Sequence, residues 1–341
     1  MNKRERIDAA VAGRDVDRPP ICGWRHFTDQ ESNAVDLAKA MVKWYRDYDW
    51  DFLKINPRAT YVAEAFGNVY DLTQYASNWP LPKLLSHVIH SPSDLSKIKP
   101  IAPDAGPFGE QLDAVAQIVR QLDGECYAIQ TIFSPLSYLV RLAAAGGRQV
   151  GAGGPAEKIR EFEAADEAGL HAALDAIATT LAAYASEVLK AGADGLFYAV
   201  VQIARKGQLT REEHRRLGRP YDLKVLEAAR GGRFNMLHLC GDHVYLEDFA
   251  DYDVQSVSWD VLGKGNPSLA QGKELIKGAV AGGTGEAGII QTGTPEEVTE
   301  LVRQAIQSTG GRRLIVAPGC SFKPPQNEAN IRAFRRAVEP A

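Results

Sequence analysis

Gly195-Leu196-Phe197-Tyr198-Ala199-Val200-Val201 is followed by Thr210-Arg211-Glu212-Glu213 and then by Phe234-Asn235-Met236-Leu237-His238-Leu239-Cys240. The two apolar runs have the length and β-branched or aromatic content of buried strands. The Thr-x-x-Glu between them is a capping-box order that opens a helix. Strand, helix, strand is the unit that joins parallel strands, because such strands need a long crossover. The same alternation extends in both directions. Strand-like runs fall at 20–24, 51–55, 127–133, 195–201, 234–240, 254–259, 278–282 and 313–317, most bounded by Gly, Pro or Asp. A segment rich in Ala, Glu and Leu, 157–191, fills one gap, and Thr294-Pro295-Glu296-Glu297 starts another helix. Eight strands alternating with helices predict an α/β protein, a (β/α)8 TIM barrel with an extra N-terminal segment and inserted loops. One strand misread would leave a doubly wound sheet equally possible. The chain, 1–341, is read as a single barrel domain with its active site at the C-terminal ends of the strands.

Two spacings exceed a bare barrel. The stretch from Asn56 to Glu125 is too long for one crossover and predicts extra loops or a small hairpin around Val69-Tyr70-Asp71-Leu72. The glycine-rich stretch 146–154 is either a lid over the active site or an idle surface loop.

Of the residues, 45% are hydrophobic and 24% charged, which is globular composition and excludes bulk disorder. Thirty-nine basic against 43 acidic residues leave a net charge of −4, so no field favours nucleic acid or an anionic membrane as partner. No apolar run approaches the roughly 18–20 residues expected of a membrane span, and no signal core is expected after Met1-Asn2-Lys3-Arg4. A cytoplasmic protein is the expectation. Four cysteines, Cys22, Cys126, Cys240 and Cys320, are too few to staple the chain, so clustered thiols read as ligands.

His238 and Cys240 stand two apart on one strand and therefore face the same side. Cys320 follows Ile315-Val316-Ala317-Pro318-Gly319 at the matching end of the last strand. In a barrel these ends converge, bringing one imidazole and two thiols together. That donor set suits tetrahedral zinc with a fourth position open. Two thiolates neutralise the dication and weaken it as a Lewis acid. Holding a thiol as thiolate for alkyl transfer is then favoured over polarising a carbonyl, with water activation as the other use of such a site.

At these residues the chain resembles the uroporphyrinogen decarboxylase superfamily, specifically its zinc-dependent methyltransferase branch, which includes the methylcobamide:coenzyme M methyltransferases. Val16-Asp17-Arg18-Pro19-Pro20 looks like the family's lead into its first strand, Ala63-Glu64-Ala65-Phe66-Gly67 like the branch's EAEALG, and Gly293-Thr294-Pro295-Glu296-Glu297-Val298 matches GTPEEV. His238-Leu239-Cys240-Gly241-Asp242 looks like HICGN, and Ala317-Pro318-Gly319-Cys320 like APGC. The resemblance implies a barrel, Zn2+ on His238, Cys240 and Cys320, and transfer of a methyl group to a zinc-bound thiolate. It implies a small-molecule thiol or methyl donor as partner, and a methylated corrinoid on a separate protein as one form of donor. The family's decarboxylases carry an arginine pair after the first strand and an Asp after the second. Here Gly23-Trp24-Arg25-His26-Phe27 keeps one Arg, and Asn56 stands near the Asp. A metal-free lyase acting on a carboxylated substrate is the alternative, and a non-catalytic zinc-binding barrel is a third. A homodimer is the expectation for barrel enzymes of this kind.

Further candidates lie at strand ends. Arg25 would clamp a carboxylate, sulfonate or phosphate, and His26 would serve as acid/base or fourth ligand. Both are read as catalytic, against a surface pair and a capped loop histidine. Asp260 would orient His238 or bind substrate, or else cap the next helix. Asn56 and Gln202 are read as substrate-binding. Cys22 reads as core, and Gly282-Gly283-Thr284-Gly285-Glu286 as a tight turn.

Overall fold

The computed structural model describes residues 1–76, 79–145 and 154–339. The strands among them are β1 (Phe52–Ile55), β2 (Val69–Ala76), β3 (Trp79–Ser86), β4 (Tyr127–Phe133), β5 (Gly195–Val201), β6 (Met236–Cys240), β7 (Ser256–Trp259), β8 (Ala279–Thr284) and β9 (Leu314–Pro318). β2 and β3 form the inserted antiparallel hairpin that the long spacing predicts. The other seven make one parallel sheet in the order β1-β4-β5-β6-β7-β8-β9. Helices occupy most crossovers; the exception is β6 to β7, which carries only the 3-10 turn Leu246–Phe249. Both expected capping boxes form, at Thr210 with Glu213 and at Thr294 with Glu297.

The sheet curls. Phe52 on β1 meets Phe234, just before β6, with ring centroids 5.2 Å apart, although β4 and β5 lie between those strands in the sheet. Trp24 packs edge-on against Phe197 of β5 at 5.4 Å. Aromatic side chains thus fill the concave interior, each contributing the large apolar area that makes such a core cohere.

The eighth strand, expected at 20–24, is not formed. Ile21 makes one isolated parallel bridge to Val316. Cys22 N donates to Val316 O at 3.1 Å, Val316 N to Pro20 O at 2.7 Å, and Asp51 N to Ile21 O at 2.9 Å. The chemistry of the segment limits it to this. Pro19 and Pro20 have no N–H to give a ladder, and the Ile21 N–H goes to the Asp51 carboxylate at 2.7 Å. Asp51 is fully buried and also takes Arg6 at 2.7 Å and Arg18 at 2.6 Å. This two-arginine clamp fixes residues 20–22 between β9 and the start of β1, and so aims Trp24, Arg25 and His26.

Helix Gly154–Lys190 departs from the sequence reading in two ways. By length and composition it passes for a membrane span, yet 56% of its most apolar window is buried in the fold, as expected of a core helix. It is also broken at Asp166, whose backbone (φ −157°, ψ 80°) is extended and whose Oδ1 accepts from Gly169 N at 2.8 Å, capping a second helical segment. The glycine-rich stretch expected as lid or idle loop lies outside the described residues except for Gly154.

Candidate metal centre

β6 is flanked in register by β5 and β7, with His238 opposite Ala199 on one side and Ser258 on the other. The small neighbours leave room for the imidazole, which stacks on Phe197 with centroids 5.2 Å apart and planes at 28°. Cys240, two residues on, shares the face of His238. Pro318 ends β9, and Gly319 gives its N–H to Thr284 O at 2.7 Å. Cys320 is thereby placed beside β6. The ligand atoms of His238, Cys240 and Cys320 all lie within 4.8 Å of one another. Among the described residues this is the single cluster of three or more such groups that could hold an ion.

The donor chemistry fits a metal. His238 is buried, its Nδ1 lies 3.1 Å from Ser258 Oγ, and its Nε2 has no hydrogen-bond partner. In the tautomer that leaves a lone pair on Nε2, Nδ1–H donates to Ser258, the arrangement that metal-bound histidines use. An orphaned buried nitrogen facing two thiols is a costly feature unless a cation completes it. The Cys240 sulfur beside it, and then burial, hold the Cys320 thiol well above its ordinary range. A bound dication inverts that preference for the protonated thiol.

A cavity of about 380 Å³ opens onto the three donors. Trp24, Tyr61, Phe133, Phe197 and Phe322 give it aromatic walls, and Tyr75, Pro80 and Leu81 of the hairpin cover one side. Arg25 and Arg141 bring positive charge into it, and Lys54 adds a buried amine. Arg141 is buried over the Phe133 ring at 5.5 Å, and its Nε has no partner. Glu286 also lines the cavity, paired with Lys323.

The other sequence candidates divide. Arg25 lines the cavity, donates to Gln326 Oε1 at 3.0 Å and lies 4.5 Å from the Phe27 ring; burial lowers its pKa. His26 also lines it, with Nδ1 3.2 Å from the buried Glu31 carboxylate, and it stands outside the three-donor cluster. Asn56 lines it too, accepting from Lys54 Nζ at 2.7 Å and reaching Ser321 Oγ at 3.4 Å. Gln202 and Asp260 are not among the lining residues described. Gln202 takes a positive φ of 57° as the chain leaves β5, and its N–H donates to Cys240 O at 3.3 Å. The Asp260 carboxylate turns back to Leu262 N at 3.1 Å and rests against Gly319, with burial pushing its pKa up. The hydrogen bond to His238 therefore comes from Ser258, not from Asp260. Cys22 is core, its thiol 3.2 Å from Phe52 O.

Three features escaped the sequence reading. Ser258 shares a face with Asp260 by the same two-residue alternation that paired His238 with Cys240. Lys54 stands in the otherwise apolar β1, Phe-Leu-Lys-Ile, and that mismatch was its signal. Arg141, on helix Pro135–Leu142, had none.

Known proteins share this fold. The sequence profile of the family described as Uroporphyrinogen decarboxylase (URO-D) matches residues 2–340. The chain is 22% identical over 348 aligned positions to the methylcobamide:CoM methyltransferase MtbA of Methanosarcina acetivorans, covering 96% of this chain and 95% of that one. Among solved structures, a methyltransferase from Methanosarcina mazei superposes with a TM-score of 0.82 at 19% identity, covering 99% of this chain and 98% of the other. A B12-independent methionine synthase from Shewanella sp. W3-18-1, in complex with selenomethionine, gives 0.55 at 12% identity over 90% and 86%.

Proposed function

The chain belongs to the uroporphyrinogen decarboxylase family, and from that premise we propose that it is a zinc-dependent methyltransferase that alkylates a thiol. The observation that carries the reading is the buried, unpartnered Nε2 of His238 facing the Cys240 and Cys320 thiols. His238, Cys240 and Cys320 would hold Zn2+, and Ser258 would fix the imidazole tautomer. When bound, zinc supplies a positive centre at which an acceptor thiol persists as the nucleophilic thiolate at neutral pH.

The chain's other residues bind and shield. Arg25 and Arg141 suit an anionic group on a substrate in the cavity. The walls of Trp24, Phe133 and Phe197 exclude water, which keeps the sulfur desolvated and reactive. The acceptor sulfur forms a bond to the methyl carbon as the methyl–donor bond breaks, its electron pair staying on the donor. A methylated corrinoid carried by a separate protein is the donor proposed, in line with the methylcobamide in the name of the Methanosarcina acetivorans relative. A decarboxylase is less well supported, because Asn56 offers a neutral amide already engaged by Lys54.

The test is to incubate zinc-replete protein with methylcobalamin and coenzyme M. Methyl thioether should appear with wild-type protein and vanish in Cys320→Ser. No thioether from zinc-replete wild-type protein, with either free or protein-bound methylcobamide, would remove the reading.

A further inference from the structure

Lys54 is 3% exposed and sits on β1 facing the cavity. An ammonium so deeply buried is normally paired with a carboxylate. Among the described residues Lys54 has none: its Nζ donates to the neutral Asn56 Oδ1 at 2.7 Å and lies 4.3 Å from the Phe197 centroid and 5.7 Å from that of Trp24. Phe197 is the ring on which His238 stacks. Lys54 lines the same cavity as the donors His238, Cys240 and Cys320. A lysine with no carboxylate partner among the described residues is therefore built into the wall of the metal centre.

Charge explains what it is for. A dication held by a neutral imidazole and two thiolates is neutral as a unit. An acceptor that joins it as thiolate makes the unit an anion in a largely apolar cavity, which is unfavourable without a counter-charge. We propose that Lys54 is a specificity-determining positioning residue, whose ammonium is the counter-charge that makes the centre accept an anionic ligand in preference to a neutral one. This rests on the methyl-transfer reading above. It also gives direction to the reaction. Once the sulfur has gained the methyl carbon and the donor has kept the electron pair, that sulfur is a neutral thioether, its attraction to Lys54 is lost, and its release from the centre is favoured.

The experiment compares two small probes on zinc-loaded protein by titration calorimetry: 2-mercaptoethanol, which would bind as an anion, and imidazole, a neutral donor to zinc. In Lys54→Met, 2-mercaptoethanol should bind roughly ten- to a hundredfold more weakly, with imidazole changed by no more than about twofold. Lys54→Gln repeats the test should Lys54→Met fold poorly. Zinc content and Tm are measured on each variant. A merely structural role would weaken both probes together, and that result, or an unchanged thiol affinity, overturns the proposal. In those outcomes wild-type protein still binds the thiol. Wild-type protein that carries zinc but binds no thiol instead removes the methyl-transfer reading, and the role of Lys54 with it.

Discussion

Replacing Ser258 by alanine isolates the one side-chain hydrogen bond of His238 among the described residues. Ser258 is fully buried on β7, in register with His238 on β6, and its Oγ is 3.1 Å from Nδ1. In Ser258→Ala that bond is lost and a buried N–H is left without an acceptor, at a cost of about 1–3 kcal/mol. The histidine can recover part of this by shifting its proton to Nε2, the nitrogen that must ligate. Metal affinity therefore falls, by roughly ten- to a hundredfold, the usual consequence of removing a partner behind a metal-bound histidine. The side chains are nearly isosteric, so the core around β7 stays packed. The assay is competition for zinc against a fluorescent chelator at pH 7.5, with thermal unfolding of the metal-free protein alongside. An unchanged zinc affinity, or a loss of folding stability that accounts for the whole effect, would refute the assignment of Ser258 as the group that orients His238.

Two further outcomes test the frame around the site. Asp51→Ala leaves Arg6 and Arg18 buried without their shared carboxylate and Ile21 N–H without its acceptor; a loss of about 3–5 kcal/mol in denaturant unfolding is expected, and a loss near zero would contradict the clamp. Burial pushes Lys54 down to about 7 in the metal-free fold, below its unfolded value of about 10.4. Between those values the unfolded chain binds more protons, so stability rises with pH, being least below pH 7. Measured by chemical denaturation from pH 7 to 10, metal-free wild-type protein should gain on Lys54→Met by at most roughly 4 kcal/mol, and parallel pH profiles would refute the burial of that charge.

The alternation of strands and helices was legible because each parallel strand is buried on both faces and reads as a short apolar run. The segment 20–24 reads the same way, but its hydrogen bonding depends on Pro19, Pro20 and the carboxylate of Asp51, thirty residues from Ile21. Asp166 broke a helix that composition made continuous, because a local side-chain cap outcompeted the helical ladder there. The donor cluster was legible from two-residue alternation plus convergence of strand ends. Which polar residue backs His238 depends on the register between β6 and β7, a tertiary fact, and so Asp260 was the natural but mistaken choice for that bond. Arg25 and His26 line the cavity; the partner of Arg25, Gln326, comes from a distant loop, and that of His26, Glu31, from five residues on in the same loop. Gln202 takes a left-handed conformation as the chain leaves β5 and is not among the lining residues described.

The central claim is that His238, Cys240 and Cys320 bind zinc, and elemental analysis of protein purified without added metal tests it most directly. About one zinc per chain is expected in wild-type protein, with its loss in Cys240→Ser and in Cys320→Ser while both variants remain folded. Wild-type protein that stays metal-free after zinc is supplied, and whose folding neither substitution disturbs, would contradict the account.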